Sequence, residues 1–367
     1  MSVLLGAQAT AGLNVALLGL NWAGVPAGTY EIGASDQPVN PIRQVATTGF
    51  ELAKTTTTNA QLAAALRQFE GKNTVLMAES VRDRRFAILA RGTRAEIGKI
   101  SDQTLTELLV TMNLPRNISN GKVEDRAVKG ALKTFDLGSN PVTIVPVTLE
   151  SHLPAGFDRP NQPALVSPFE ASAFAAVFGL ELPTGEEWEI AAGDLRDPKY
   201  LNEEELRRVA HLQPANTTAD VGTKDPNSLG IYDMLGNVWA VMANLLPGSV
   251  YRELRGGSWV NDPDCVRAVF RLNDHPADWY VNVGFRLVRP QHSLNGVMIF
   301  QARIPIFKEI GSVPEGSPDW SPWFCPLKRR TEERFAPPVA RNPEKKGERY
   351  RRGFYLEEQC PFNRENS

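Results

Sequence analysis

The stretch Leu254-Arg255-Gly256-Gly257-Ser258-Trp259, answered downstream by Gly284-Phe285-Arg286, decides how this chain is read. Between the two motifs lies VNDPDCVRAVFRLNDHPADWYVNV, residues 260–283, in which Asp, Asn, Val and aromatic residues follow one another with neither a strand nor a helix period. Aromatic anchors mixed with short polar groups are what adaptable binding surfaces use. The flanking motifs read as a frame, and the run between them as a ligand-binding surface.

Outward from the frame, the neighbouring segments carry clear local signals. Ser167-Pro168-Phe169-Glu170 is a capping box with proline at the first helical position, opening an alanine-rich helix that stops at Gly179. Thr184-Gly185-Glu186-Glu187 is a second capping box ahead of Trp188, Ile190, Ala191 and Ala192. Glu186 and Glu187 are adjacent on a helix and do not face one another, so helix-end electrostatics explains them better than acid/base catalysis. Asn59 is expected to cap a helix running to Phe69, with Leu62 and Leu66 on its apolar face. Gly24 to Gly33 and Phe50 to Lys54 read as short strands punctuated by glycine and proline.

Residues 71–160 differ in texture and read as an insertion, with strands at Thr74–Met77 and Phe86–Leu89 and a helix over Ser101–Leu114. The basic cluster Arg82, Arg84 and Arg85 lacks interleaved aromatics and reads as solvated surface. At the N-terminus, residues 1–21 are uncharged and largely apolar but lack the basic region of an export signal, so they are expected to pack on the domain or a neighbouring subunit. At the other end, residues 291–367 are proline-rich and carry 13 basic against 10 acidic groups. That composition predicts an extended appendage with one short docked strand near Val297–Phe307.

Composition narrows the classes further. A net charge of −2 over 367 residues gives no field that would draw the chain to nucleic acid or an anionic membrane. No specific nucleic-acid partner and no membrane span are expected. Cys265, Cys325 and Cys360 are too far apart for a disulfide framework or a zinc knuckle. None of His152, His211, His275 and His292 forms a two-histidine helical pair. The compartment stays open, cytoplasmic by default, with surface or virion display as the alternative.

Three segments, in order and at fitting spacing, carry a resemblance. Leu182–Ala192 (LPTGEEWEIAA), Asn227–Trp239 (NSLGIYDMLGNVW) and Leu254–Trp259 with Arg267, Arg271 and Gly284–Leu287 resemble motifs of the formylglycine-generating enzyme, or sulfatase-modifying factor, superfamily. The resemblance covers about residues 22–290 apart from the insertion. It implies an α+β, C-type-lectin-like fold of short antiparallel strands, two main helices and long ordered loops. Function does not follow from the fold, because one scaffold hosts several activities.

The enzymes of that superfamily bind copper through a cysteine pair just after the glycine-glycine-serine segment, where soft thiolates suit the metal. This chain has a single thiol there, Cys265, so no catalytic residue is assigned. A second branch holds non-haem iron through histidines that this chain does not arrange. Where the superfamily's calcium loop ends in glutamate after the tryptophan, this chain has Ala240, which removes a hard oxygen ligand. No cofactor is expected, with calcium as the alternative; Asn237 is expected to tie its loop to backbone groups.

Residues 260–283 contain no Lys, Glu, Gln or Met. That pattern resembles the variable proteins of diversity-generating retroelements, in which adenines of asparagine-type template codons are randomised. The resemblance implies a non-enzymatic protein that displays a diversified surface to a protein or other macromolecular ligand. The rival is an oxygen-dependent oxidoreductase of the formylglycine-generating type. The expected contact residues are Val260, Asn261, Asp262, Asp264, Asn273, Asp274, His275, Asp278, Tyr280 and Asn282, followed by Val266, Ala268, Phe270 and Leu272. Arg267 and Arg271 are assigned to the scaffold, and Trp188, Trp239, Trp259 and Phe285 to the core.

Overall fold

In a computed structural model, the described residues are 13–80, 85–100, 133–136, 141–196, 202–245, 251–289 and 300–301. Four short strands open the chain: β1 (Trp22–Val25), β2 (Gly28–Ile32), β3 (Arg43–Thr47) and β4 (Phe50–Ala53). Helix α1 (Asn59–Gln68) follows. Its N-cap is Thr58, which forms a capping box with Gln61. That corrects the expected cap by one residue: Asn59 already belongs to the helix, and its side chain instead donates to the carbonyls of Phe157 and Arg159. Strands β5 (Thr74–Ser80), β6 (Arg85–Gly92), β7 (Lys133–Asp136) and β8 (Pro141–Thr148) come next. The helix expected over Ser101–Leu114 and the arginines Arg82 and Arg84 lie outside the described residues; Arg85 starts β6.

Helix α2 (Pro168–Val177) has its Ser167–Glu170 capping box in place, and every one of its residues is buried. Helix α3 (Gly185–Ala192) is capped by Thr184 and Glu187, and Glu186 is ion-paired to Arg43 at 3.0 Å. A later helix, α4 (Glu203–Val209), has three glutamates in its first turn and two arginines in its last, the order that suits the helix dipole. Strands β9 (Ala210–His211), β10 (Leu235–Gly236), β11 (Trp239–Leu245), β12 (Arg252–Arg255), β13 (Leu272–Asp274), β14 (Val283–Phe285) and β15 (Val288–Arg289) complete the domain. A last pair, β16 (Phe300–Gln301), adds to the edge of β6 opposite Phe86 and Arg85.

The strands form small sheets, mostly antiparallel. β1, β4 and β15 make one, and β2 pairs with β3. The sheet that positions the site has the order β13-β12-β11-β14, in which only β11 and β14 run parallel. The sheet of β5 to β8 presents Val75, Met77, Val145 and Val147 to the same core that holds Phe174, Phe178, Trp239 and Phe285. Residues expected as an insertion therefore share the main core. A second core gathers around Trp188, Met234 and Met242. Trp188, Trp239, Trp259 and Phe285 are all buried, as expected of core aromatics.

Near the N-terminus, Val15–Leu18 forms a short 3-10 turn against α1. The Gln68 amide accepts from Asn14 N–H and donates to its carbonyl, while Leu18 is buried in the main core. No helix among the described residues is long and apolar enough to cross a membrane.

Candidate functional site

Strand β12 delivers Arg255 and then Gly256 and Gly257, both with φ well above zero. A Cβ on Gly256 would lie 2.7 Å from the Met234 carbonyl oxygen and 3.0 Å from the Trp188 ring. Only glycine fits that approach. Arg255 is fully buried and paired with Glu189 at 2.9 Å and with Glu253, and it donates to the Ala268 carbonyl at 2.8 Å. Burial alone would lower its pKa, but the two carboxylates outweigh that and raise it, so the charge is kept. Arg286, also buried, donates to the carbonyls of Ala53, Lys54, Tyr232 and Asp233. The two arginines stitch separate loops into one frame.

The run between the motifs leaves this frame in two legs. In the first, residues 261–272, Asn261 Oδ1 accepts from the Ser258 N–H at 2.8 Å and its hydroxyl at 2.7 Å, and Asn282 Nδ2 donates to the Ser258 hydroxyl at 3.1 Å. Pro263–Cys265 makes a 3-10 turn, and Val266, Ala268, Val269 and Phe270 turn inward. Arg267 grips Asp36 through two hydrogen bonds at 2.9 and 3.1 Å, and Arg271 donates to Asn40 Oδ1 at 2.7 Å. Asn40 in turn donates to Glu189 and to the Val269 carbonyl. This leg is clamped under residues 34–43.

The second leg, 272–283, begins as β13 and so is not without strand structure, as its sequence suggested. Leu272 and Asp274 point inward with Asn273 between them, because β13 pairs with β12. A turn over His275–Asp278 then presents the exposed side of the segment. His275 stacks edge-on against Tyr251, with centroids 5.7 Å apart, and Trp279 packs on the His152 ring at 4.7 Å. Trp279 also donates to the Leu165 carbonyl at 3.2 Å. His152 is bonded to Glu170, the capping residue of α2, at 2.8 Å. Burial opposes charging of His152, but the Glu170 bond and charge, with Glu150, win and raise its pKa. Val260 and Trp279 both lie partly buried over a small cluster that contains Phe157, Trp259 and Val281, which joins the two ends of the segment into one face.

The expected contact residues divide accordingly. Asp262 and Asp278 are exposed, and Val260, Asn273 and His275 are half-buried. Asp264 lies in the 3-10 turn, and its side chain is outside the described set. The expectation of exposure is corrected for Asn261, Asp274, Tyr280 and Asn282, and for Val266, Ala268, Phe270 and Leu272, all of which are buried. The polar ones are consumed by the frame, and the apolar ones contribute core area, about 1.5–3 kcal/mol for each large side chain. Burial lifts the Asp274 carboxyl to about 8, helped by the neighbouring Asp278 charge. Sequence reasoning missed His152, Tyr251 and Leu153, the last two exposed. No periodicity signals a partner that is close only after folding.

Asn237 does what its sequence suggested. In a left-handed conformation, φ 60°, its amide brackets the backbone of Ala219, accepting at 3.0 Å and donating at 3.2 Å. Ala240, where the resemblance would place a carboxylate, is buried in β11 opposite Gly284 and Arg255. Cys265 is buried; Cys325 and Cys360 lie outside the described residues. Among the described residues, no group of three or more His, Cys, Asp or Glu side chains could hold a metal ion.

The model of the family described as "Sulfatase-modifying factor enzyme 1-like domain" matches residues 21–291. The hercynine oxygenase of Mycobacterium tuberculosis is 35% identical over 158 residues, 33% of this chain and 35% of that protein. The formylglycine-generating enzyme of Streptomyces coelicolor is 32% identical over 165 residues, 35% of this chain and 52% of that protein. The inactive C-alpha-formylglycine-generating enzyme 2 of Mus musculus is 33% identical over 151 residues, 34% of this chain and 49% of that protein. Each match thus spans about half or less of the relative's own length. Among solved structures, PvdO from Pseudomonas aeruginosa aligns over 73% of this chain and 93% of its own, with 20% identity and a TM-score of 0.46. Treponema denticola variable protein 1 aligns over 74% and 95%, with 21% identity and a TM-score of 0.41.

Proposed function

We propose that this chain, which belongs to the sulfatase-modifying factor enzyme 1-like family, uses the family's frame to hold a ligand-binding face rather than a catalytic centre. The observation that carries the reading is the division within residues 260–283. Asn261, Asn282, Arg267 and Arg271 are spent on fixing the backbone, while Val260, Asp262, Asn273, His275 and Asp278 reach solvent at least in part. A pre-ordered backbone loses little entropy when a partner docks, and aromatic groups with a few carboxylates supply area and orientation. The ligand is a protein or another macromolecule. The face includes Trp279 of the segment, with Tyr251, His152 and Leu153 outside it extending its apolar area.

The residue set of the segment further supports template-directed diversification, restricted to the five expected contact residues that reach solvent among those described, Val260, Asp262, Asn273, His275 and Asp278. A buried asparagine holding both the N–H and the hydroxyl of Ser258 does not tolerate randomisation. The gene tests this: a near-identical repeat beside a reverse-transcriptase gene is expected to differ at template adenines in the codons of Val260, Asp262, Asn273, His275 and Asp278. Mismatches concentrated on the codons of Asn261 and Asn282, or no such repeat, would sink diversification.

The rival is copper-dependent oxidation of a thiol by oxygen, which needs a second sulfur near Cys265. Full-length protein supplied with copper, a cysteine-containing peptide and a reductant is expected to consume oxygen no faster than copper alone. Faster uptake that disappears in Cys265→Ser would establish the oxidoreductase and end the binding reading.

A further inference from the structure

Trp279 is held from outside its own segment. Its indole N–H donates to the Leu165 carbonyl at 3.2 Å, and its ring packs on the imidazole of His152, with centroids 4.7 Å apart and planes tilted by 48°. His152 comes from the chain that leaves β8, and its Nε2 lies 2.8 Å from Glu170 Oε1. Glu170 is fixed in its turn. Its second oxygen accepts from the Ser167 N–H at 2.7 Å in the capping box of α2, and its side chain is only 9% exposed. The imidazole thus links an anchored carboxylate to a partly exposed ring.

Both contacts of that imidazole depend on its proton. With a carboxylate oxygen at hydrogen-bond distance from Nε2, protonation turns a neutral hydrogen bond into an ion pair in a half-buried place. The same proton puts a positive charge within the roughly 6 Å over which an indole face attracts a cation. The two contacts therefore strengthen and weaken together. We propose that His152, outside the segment, is a positioning residue that clamps Trp279 on the binding face while its imidazole is protonated and loosens it when the proton leaves. This deepens the binding-face reading and rests on it. A partner that packs on Trp279 meets a fixed ring at acidic pH and a more mobile one at alkaline pH.

The charges around His152 agree with that direction. Burial alone would keep it neutral, but the bond and charge of Glu170 on α2, with Glu150 two residues back, outweigh burial and raise its pKa. The clamp is therefore complete below the ordinary histidine value of about 6.5 and is lost as pH rises through a folded-state value above it. On the turn that carries Trp279, His275 stacks on Tyr251, while Asp274 and Asp278 both meet the Tyr280 hydroxyl. The chain beneath the indole contributes the Leu165 carbonyl and the Phe157 ring, both uncharged. Beyond them Asp158 is exposed, and Arg159 pairs with Asp220 at 2.9 Å.

The test is a titration of the full chain labelled with fluorotryptophan, followed by fluorine NMR from about pH 5 to about pH 9, a range that brackets histidine. The Trp279 resonance is identified by its loss in Trp279→Phe. It is expected to move in one step centred above about 6.5. The step should vanish in His152→Gln, whose amide still reaches Glu170 but does not titrate, and survive in His275→Gln. In Glu170→Gln, which keeps a capping residue for α2, the centre of the step should fall, because burial then acts with less opposition. Should the glutamine variant of His152 unfold, His152→Phe supplies a ring without a proton and is expected to abolish the step as well. A Trp279 resonance that stays flat in the native chain, a step that persists in a folded His152 variant, or one that disappears in His275→Gln would overturn the clamp. No ligand enters this measurement, so a flat resonance would end the clamp alone, whereas a failed selection of binders would end the binding face and leave the contact between His152 and Trp279 in place.

Discussion

Asn261 and Asp262 are neighbours with opposite duties. The Asn261 side-chain oxygen, Oδ1, satisfies two buried donors of Ser258, whereas Asp262 projects into water. Asn261→Ala is expected to cost about 2–3 kcal/mol in chemical denaturation, because it strands both donors, and Asp262→Ala to stay within about 0.5 kcal/mol. Equal effects would mean that the division between frame and face is misplaced. Asp274 gives a second residue-scale expectation. Its folded-state pKa, about 8, lies above that of an unfolded aspartate, so the folded state binds the extra proton between about pH 4 and pH 8. Native stability from this group is therefore full below that window and declines as pH rises through it, by up to several kcal/mol. Asp274→Asn should flatten that decline in urea melts taken across the window. An unchanged decline would show that another group carries it. The roles of Arg267, Arg271, Trp259 and Asn237 were legible in the sequence because motif context fixes them. The burial of Asn282 and Tyr280 was not, since a short polar or amphipathic side chain looks alike in sequence whether it meets water or a buried partner.

At the scale of elements, capping boxes were the most readable feature, at Ser167–Glu170 and Thr184–Glu187, because they are local and their hydrogen bonds need no tertiary context. The same signature at Asn202–Glu205 starts α4. Strand β3 went unread because its partner β2 lies across a proline-containing loop. The segment between the motifs looked aperiodic because one stretch holds a 3-10 turn, a buried leg and a three-residue strand in succession. The double-glycine turn is the element on which that stretch depends. Gly256→Ala places a methyl 2.7 Å from the Met234 carbonyl oxygen at a φ of +91°. It is expected to cost more than about 2 kcal/mol and to broaden the indole resonance of Trp188 in NMR spectra, whereas a near-native melting temperature would mean that the turn relaxes freely.

On the scale of the whole molecule, family membership fixes a frame that encloses residues 260–283, and the chemistry of that segment has to be read on its own terms. Buried arginines, asparagines and tryptophans hold the frame from beneath, and on the proposed reading the surface above is the part that differs. The most direct measurement is a display library randomised together at Val260, Asp262, Asn273, His275 and Asp278, scored first for folded yield and then for selection against unrelated target proteins. Most clones are expected to fold, and different targets should enrich different side chains at the five positions. A collapse of folded yield, or well-folded libraries from which no target enriches any clone, would contradict the binding face.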